Sequence, residues 1–165
     1  MYSNTGIQRS GATPYGAWTT TTWTGKKEYQ KELGEIVRAH HIPYVATAAI
    51  SYPEDLYAKV LKAKTMKGPR YIEIFAPCPP GWRFDMSKTI EMARLAVETG
   101  AWILYEEIDG QFTFTSHSKK ILEGKDRKPI EEWLRLQGRF RHLTGDDMTK
   151  IKSRLDEKWN RYKNG

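Results

Sequence analysis

The most constraining feature of the chain is a strand–helix–strand pattern in its first half. Two short apolar runs, YVATAAI and RYIEIFA, lie on either side of a segment with helical spacing. Pro53, Glu54 and Asp55 predict the start of that helix, because proline fits the first turn and acidic side chains favour the positive end of the helix dipole. Apolar runs of this kind form parallel strands covered on both faces, so the pattern is typical of an α/β fold.

Turn signals and helical spacing predict the remaining elements. Before this unit, the sequence predicts a helix that ends near His41, with a buried stripe formed by Tyr29, Leu33, Ile36 and Val37. After it, the sequence predicts a break without regular structure at 77–81, a helix capped by Ser87 and a strand WILYEEI. An edge hairpin that spans Ile108 to Thr115 and turns at Asp109-Gly110 follows, and then a polar loop over 116–128. The last two elements are a helix from Pro129 to Leu136 and a helix capped from Thr144 to Asp147, which carries Ile151, Leu155 and Trp159 on one face.

These elements predict one α/β layered domain with a short, mostly parallel sheet of three strands, helices on both faces and an edge hairpin. Three segments are expected: an opening loop over 1–28, an α/β core over 29–115 and a helical extension over 116–165. A length of 165 residues and an apolar fraction of 39% suffice for a domain with its own core. Because the sheet is thin, part of the apolar surface is expected to await another segment or subunit.

The chain is basic, with a net charge of +7, and its surface should attract anions. Three interpretations stay open: a nucleic-acid surface, a solvated basic surface without a partner, and a docking surface for a small acidic electron carrier. Scattered basic residues and the lack of a zinc-finger or RNA-recognition motif count against nucleic acid. No apolar stretch approaches the roughly 20 residues of a membrane span and no signal-peptide pattern is present, so we expect a cytoplasmic protein without a membrane partner.

The opening segment from Tyr2 to Pro14 is too polar and glycine-rich to form a core. Glycine lets backbone amides approach a ligand, and Arg9 adds a fixed positive charge. Hydrogen-bond donors and acceptors come from Asn4, Thr5, Gln8 and Ser10. These residue types suit an anionic, phosphorylated cofactor. A disordered N-terminal tail is equally compatible with the pattern.

The single cysteine, Cys78, excludes an intramolecular disulfide and any metal site that needs several thiolates from this chain. It lies between two prolines, whereas a structural thiol usually fills an apolar core, and both a functional and a packing role stay open. The four histidines lack metal-ligand spacing. No Gly-x-Ser-x-Gly, P-loop or His-Glu-x-x-His motif is present, which removes the usual hydrolase and nucleotide-binding hypotheses.

Several stretches resemble one family in the same order. The run YSNTGIQRSGATPYGAWTTTT resembles the thiamine-diphosphate loop of the beta subunit of pyruvate:ferredoxin oxidoreductase and its 2-oxoacid oxidoreductase relatives. Four further stretches resemble later parts of that subunit: HIPYVATAAISYPEDL, APCPPGW, TIEMARLAVETGAW and LQGRFRHLT. The resemblance covers nearly the whole chain. It implies a missing first half, since the family's beta subunit is about twice as long.

The resemblance implies a shared cofactor site. Asn4, Thr5 and Gly6 match the Asn-Thr-Gly run that contacts thiamine diphosphate, with Asn4 beside the reactive region as the catalytic residue. It implies that Gln8 shapes the pocket and that Met1 offers its carbonyl to Mg²⁺. The family's Gly-Asp-Gly aspartate has no counterpart, and Mg²⁺ demands octahedral oxygen ligands, so cofactor binding by the chain alone should be weak or absent.

APCPPGW matches the loop that carries one thiolate ligand of a [4Fe-4S] cluster, which implies that role for Cys78, with three cysteines from the missing half. The implied function is CoA-dependent oxidative decarboxylation of pyruvate to acetyl-CoA and CO2 with electron transfer to ferredoxin, in anaerobic metabolism. The implied partners are the missing half of the beta subunit and the alpha, gamma and delta subunits, whose surfaces Trp18 and Trp23 could contact. The alternative is a non-catalytic α/β interaction or assembly module.

Overall fold

The computed structural model describes residues 6–164 of the chain. Met1, Asn4 and Thr5, which the resemblance places at the cofactor and metal, lie outside the described residues. The chain divides into two compact units. The first unit comprises the residues up to Lys31, together with Pro77–Thr89 and the residues from Pro129 onward; the second comprises Glu32–Ala76 and Ile90–Lys128. The three-segment division of the sequence stays a prediction.

The second unit contains a four-stranded sheet. Its strands are β1 (Tyr44–Ala49), β2 (Arg70–Phe75), β3 (Tyr105–Ile108) and β4 (Gln111–Phe114), in the spatial order β2-β1-β3-β4. β1 and β2 are parallel, with Tyr44 opposite Arg70 and Ala49 opposite Phe75. Every residue of β1 is buried, as expected for a strand covered on both faces. The α/β class is thereby confirmed.

The direction of β3 differs from the prediction of three parallel strands. β3 runs antiparallel to β1, with Ile108 opposite Tyr44, so the sheet has one parallel and two antiparallel pairings. The reason is the turn that precedes β3. The indole of Trp102 donates a hydrogen bond to the carbonyl of Ala48, near the carboxyl end of β1, at 3.0 Å. The chain therefore enters β3 from that end.

The edge hairpin is confirmed. β3 and β4 pair antiparallel, with Tyr105 opposite Phe114 and Ile108 opposite Gln111. Asp109 has φ of 46° and Gly110 has φ of 81°. Two successive residues with positive φ form the type I′ turn whose twist matches the strands, and Asp-Gly is a preferred pair for it.

Helices cover both faces of the sheet, as predicted. α1 is Leu33–Arg38 and α2 is Pro53–Thr65. Successive side chains of a strand point to opposite faces, so Glu106 and Glu107 of β3 lie on different sides of the sheet. Lys62 of α2 pairs with Glu106, and Arg38 of α1 pairs with Glu107, each at 2.6 Å.

α1 is shorter than predicted, and three of the four residues of its predicted buried stripe are exposed, whereas Val37 is half-buried. Tyr29 lies before the helix and Leu33 is its first residue. Both side chains are exposed, and so is that of Ile36. Gly34 is buried instead, and a Cβ at that position would collide with the hydroxyl of Tyr105. The helix turns its smallest residue toward the sheet because only glycine allows that approach.

Two further helices complete the second unit. α4 (Thr89–Glu98) buries Met92, Ala93 and Leu95–Val97, and Val97 packs with Ala49 and Leu104. Its cap differs from the prediction, because the backbone amide of Ser87 donates to Asp85 in a 3₁₀ turn ahead of the helix. The segment predicted as a polar loop forms α5 (Ser116–Leu122), in which only Ser118 and Ile121 are buried. Two buried residues make too weak a periodicity to predict a helix.

The first unit contains α3 (Pro79–Trp82), α6 (Ile130–Arg135), a 3₁₀ turn at Gly138–Phe140 and α7 (Gly145–Asn164). The prediction of no regular structure at 77–81 is wrong, because consecutive prolines fit the first turn of a helix, where no amide donor is needed. The predicted cap of α7 is confirmed: the Asp147 amide donates to Thr144 Oγ1, and the Thr144 amide donates to Asp147 Oδ2. None of the helices described, in either unit, is both long and apolar enough to cross a membrane.

Candidate functional site

The described part of the opening loop is held by the threonine-rich segment that follows it. Thr20 Oγ1 donates to the carbonyls of Gly6 and Ile7, at 2.6 and 3.1 Å. Gly6 and Ile7 both have positive φ, 97° and 60°. Gly6 and Gln8 are exposed. Their surfaces are therefore open to a ligand or to another polypeptide.

Lys26 anchors the next part of the loop from inside. Its ammonium is buried and donates to the carbonyls of Thr13, Gly11 and Tyr29, at 2.8, 3.1 and 3.3 Å. Burial lowers the pKa of Lys26, and the Glu28 carboxylate acts in the opposite direction. Three carbonyls satisfy the three N–H donors of an ammonium, so Lys26 closes the loop into a fixed shape.

A cavity of about 410 Å³ lies beside this loop. It is lined by Arg9, Ser10, Gly11, Lys26, Glu28, Tyr29 and Lys31. Its three cations face one carboxylate, and Arg9 pairs with that carboxylate at 3.2 Å. The size is in the range of ligand sites and the charge excess suits an anion. Gly6 and Gln8 are absent from the described lining, so the cavity joins Arg9 to residues outside the predicted cofactor contacts.

Cys78 is partly buried and forms no disulfide. It immediately precedes α3, and its carbonyl accepts a hydrogen bond from the amide of Trp82 at 2.9 Å. The short helix therefore holds the backbone of Cys78 in place, and the residue as a whole is partly exposed.

Arg139 is the functional candidate that sequence reasoning missed. Its side chain is 2% exposed, and its guanidinium lies 3.9 Å from the ring centre of Trp82 and 4.9 Å from that of Phe140. Its Nε donates to Gln137 Oε1 at 2.8 Å. Burial lowers the pKa of Arg139 to about 9, and the Cys78 thiol acts in the opposite direction. Arginine is a surface residue by default, so only its position in LQGRFRHLT could have drawn attention to it.

Backbone contacts fix the turn that carries Arg139. The amide of Trp18 donates to the Arg139 carbonyl at 2.8 Å, and the amide of Gly138 donates to the Arg83 carbonyl at 3.0 Å. The guanidinium of Arg83 covers the ring of Trp18 at 3.6 Å. Trp23 is 77% exposed. The prediction that these two indoles contact a neighbouring subunit stays a prediction.

The donor atoms present do not make a complete metal site. Within residues 6–164, no group of three or more His, Cys, Asp or Glu side chains is placed to bind a metal ion. A magnesium–diphosphate site therefore does not fit the described residues alone. A [4Fe-4S] cluster needs four thiolates, and the chain can supply one, Cys78.

The geometry defines the class: a partial α/β protein with an exposed polar loop, a cation-lined cavity and one partly exposed cysteine. Its relatives are more particular. The chain is 52% identical over 160 residues to pyruvate synthase subunit PorB of Methanothermobacter marburgensis, covering 94% of this chain and 54% of that subunit. It is 48% identical over 167 positions to ketoisovalerate oxidoreductase subunit VorB of Pyrococcus abyssi, covering 98% and 52%. It is 48% identical over 162 residues to PorB of Methanocaldococcus jannaschii, covering 95% and 52%.

The chain spans about half the length of the curated relatives it matches. No protein-family model matches it. The names of the relatives are consistent with the beta subunit of a 2-oxoacid:ferredoxin oxidoreductase, and the resemblance drawn from the sequence motifs is confirmed.

Proposed function

We propose that the chain forms about half of the beta subunit of a 2-oxoacid:ferredoxin oxidoreductase. The complete complex would convert pyruvate, CoA and oxidised ferredoxin into acetyl-CoA, CO2 and reduced ferredoxin. The observation that carries the proposal is 52% identity, over 94% of the chain, to a subunit named for pyruvate synthase. Because a relative named for ketoisovalerate matches at 48%, both 2-oxoacids belong in the substrate assay.

The chain's share of the cofactor site is the opening loop. Thiamine diphosphate, when bound, supplies the electron sink for decarboxylation. We assign Asn4 the catalytic position beside it, Thr5, Gly6 and Gln8 the binding contacts, and Met1 a carbonyl ligand to Mg²⁺. The exposure of Gly6 and Gln8 supports this assignment, since the loop offers a free surface. The acidic metal ligand has to come from the part of the subunit that this chain does not cover.

Cys78 is the proposed ligand of a [4Fe-4S] cluster whose other three thiolates come from elsewhere in the assembly. Its partial exposure supports this role, because a ligand shared between polypeptide segments must reach the surface of its own segment. Such a cluster would carry electrons from the decarboxylation site to ferredoxin.

The proposed partners are the rest of the beta subunit, the alpha, gamma and delta subunits, and ferredoxin, all in the cytoplasm. The second unit has exposed apolar side chains that further subunits would cover, which supports the proposal of these partners. Among them are Leu33, Ile36, Tyr57 and Ile74. The net charge of +7 favours encounter with an acidic ferredoxin, since complementary charge accelerates association.

Reconstitution tests the proposal. The chain is co-expressed with a candidate first half of the beta subunit and the other subunits, and viologen reduction is measured with thiamine diphosphate, Mg²⁺ and CoA. We expect turnover that depends on pyruvate and on the presence of this chain, with 2-ketoisovalerate as the comparison substrate. A stable complex that reduces no viologen with either 2-oxoacid would favour the alternative, an α/β assembly module without catalysis.

Replacement of the thiol tests the iron–sulfur role separately. In the assembled complex, Cys78→Ala should remove one cluster's electron paramagnetic resonance signal and lower the iron content by about one cluster of four irons. Met86→Ala is the matched control, because Met86 is an exposed side chain in the same stretch of the first unit. Unchanged iron content in Cys78→Ala would exclude the ligand role.

A further inference from the structure

A second cavity of the first unit lies among the helices of its last segment. Its volume is about 320 Å³, and its lining comes from α6, from the 3₁₀ turn at Gly138–Phe140 with the residues on either side of it, and from the first turn of α7. All of these elements belong to the stretch from Pro129 onward, so the cavity lies within one compact unit. Its described lining shares no residue with that of the cavity beside the opening loop, and its size is in the range of ligand sites.

One wall of this cavity is apolar. It is formed by Leu134, Phe140, Leu143 and Met148. Leu134 and Phe140 are almost completely buried, and the ring of Trp133 packs against that of Phe140, with ring centres 6.5 Å apart. The wall is therefore fixed by packing before any ligand arrives, and a short apolar chain that covered it would be removed from water.

Gln137 keeps the polar part of the lining in place. Its side chain is 1% exposed, its Nε2 donates to the carbonyl of Trp133 at 2.9 Å, and its Oε1 accepts from Arg139 Nε at 2.8 Å. These bonds hold the amide in one orientation and tie the 3₁₀ turn to α6. A cavity with such a wall is preorganised, so a ligand loses less of its binding energy to ordering the protein.

The charged part of the lining has an excess of positive charge. Arg135 and Arg141 both contribute exposed guanidiniums. The carboxylate of the described lining is that of Glu131, and Lys152 already forms an ion pair with it. This contact is the main reason why the pKa of Glu131 is lowered. Among the residues that the structure describes, no carboxylate lies within ion-pair distance of either arginine, so both guanidiniums are available to an anion.

We infer that this cavity binds an amphipathic carboxylate, that is, a carboxylate group on a short apolar chain. The apolar wall takes the chain, and Arg135 and Arg141 take the carboxylate, because a guanidinium forms charge-assisted, often bidentate hydrogen bonds with that group. An anion without an apolar part would leave the wall in water, and an apolar molecule without charge would leave the guanidiniums unpaired. The inference goes beyond the proposed function, since the described lining includes none of the residues assigned to catalysis, cofactor binding or the metal.

Met148 is a natural reporter for the cavity. The full chain is isotope-labelled at the methionine methyl groups and titrated with hexanoate, and nuclear magnetic resonance spectra are recorded. We expect the signal of Met148 to shift and to saturate, with a dissociation constant on the order of 1 mM for so small a ligand. The signal of Met86, which is exposed and outside the described lining, should stay in place. Met148→Leu identifies the reporter signal.

Ligand analogues separate the two parts of the recognition. Acetate keeps the charge and lacks the chain, hexanol keeps the chain and lacks the charge, and hexylamine carries the opposite charge. We expect each of the three to bind at least about tenfold more weakly than hexanoate, because each loses either apolar burial or attraction to the guanidiniums. If acetate or hexanol bound as tightly as hexanoate, the inferred ligand class would be wrong.

Variants assign the attraction to the two arginines. Arg135→Gln and Arg141→Gln should each raise the dissociation constant of hexanoate about three- to tenfold, a modest factor because solvent screens exposed charges. Lys150→Gln is the matched control, since it removes one positive charge from an exposed position of α7 outside the described lining and should leave the affinity unchanged. A folded double variant of Arg135 and Arg141 with wild-type affinity would overturn the inference. A wild-type chain whose Met148 signal does not respond to hexanoate would do so whether or not any variant folds. The titration needs no catalytic turnover, so its result is separate from that of the reconstitution assay.

Discussion

Lys59 is a buried cation in the second unit, and hydrogen-bond acceptors of the same unit surround its ammonium. Its ammonium donates to Asp55 Oδ2 at 2.5 Å, to Thr115 Oγ1 at 2.7 Å and to the Thr47 carbonyl at 2.8 Å. Burial lowers the pKa of Lys59, and the hydrogen bond to Asp55 raises it. Three acceptors match the three donors, so the residue joins α2 to β1 and to the residue after β4.

We expect Lys59→Met to lower the free energy of unfolding by about 3–5 kcal/mol, because Asp55 is then buried without its cation. Urea unfolding of the purified chain measures the loss. Lys64→Met is the matched control on the same helix, where the side chain is exposed and a change within about 0.5 kcal/mol is expected. Equal effects of the two substitutions would contradict the role of the buried pair.

Asp147 is the residue whose ionisation is coupled most clearly to folding. Its carboxylate accepts from the Thr144 amide at 3.1 Å and from the Tyr15 hydroxyl at 2.8 Å. These contacts lower the pKa of Asp147 from 3.8 to about 2. The hydrogen bond from the Thr144 backbone amide has the largest effect, and the one from the Tyr15 hydroxyl comes next. A folded-state pKa below the ordinary value means that the stabilisation is present above pH 3.8 and is lost as the pH falls through about 2.

Asp147→Asn should therefore lower the free energy of unfolding by about 1–2 kcal/mol at pH 7. This is the usual magnitude for the loss of a helix cap together with a side-chain hydrogen bond, here the one from the Tyr15 hydroxyl. The difference between variant and wild type should shrink between about pH 4 and pH 2, where the wild-type carboxylate gains its proton. Urea midpoints measured across this range test the claim. Asp146→Asn serves as the control, since Asp146 is an exposed neighbour in the same first turn.

Among the elements, α1 illustrates how one contact determines which side of a short helix is buried. Its apolar side chains at Leu33 and Ile36 are exposed, while Gly34 faces the hydroxyl of Tyr105. Tyr105 is 2% exposed, so its side chain is buried in the second unit. Close approach between helix and sheet therefore outweighs the burial of two large apolar residues within the second unit.

Gly34→Ala should lower the free energy of unfolding by about 1–3 kcal/mol, since overpacking outweighs the gain of roughly 1 kcal/mol in helix propensity. Removal of the hydroxyl in the double variant Gly34→Ala with Tyr105→Phe should recover part of the loss. Gly145→Ala is the control, because a Cβ at Gly145 meets no atom within 4 Å. Thermal unfolding of the four proteins measures the effect, and a stabilised Gly34→Ala would refute the collision.

At the scale of the molecule, the second unit carries features of an unfinished surface. β2 is an outer strand, and within the described residues it pairs only with β1. Ile74 of β2 is 48% exposed. An outer strand with exposed apolar side chains is a template for pairing with another chain, and the relatives are about twice as long as this chain.

We expect Ile74→Lys to reduce self-association of the chain and to weaken its assembly with the remaining beta-subunit sequence. Leu122→Lys, on α5, replaces an equally exposed apolar residue away from the strand and should leave assembly intact. Light scattering of the chain and co-purification after co-expression provide the two readouts. Normal assembly by Ile74→Lys would show that this edge is not a contact.

Much of the secondary structure could be predicted, because its signals are local. Pro53 with its acidic neighbours marked α2, Asp109-Gly110 marked the hairpin, and Thr144 with Asp147 marked the cap of α7. α5 could not be predicted in the same way, since its polar surface hides two buried residues. The candidate thiol followed from motif resemblance, whereas Arg139 and Lys26 did not, because burial of a cation depends on which distant carbonyls and rings surround it.

The amino-acid sequence by itself determined the α/β class, the order of the four strands along the chain, and the relationship to 2-oxoacid oxidoreductase subunits, because periodicity, turn residues and motifs are properties of neighbouring positions. Only the tertiary structure decided the direction of β3, the face that α1 buries and the burial of the Arg139 side chain. Each of these depends on which remote segments meet in space, and steric fit and desolvation at those meetings outweigh local preference.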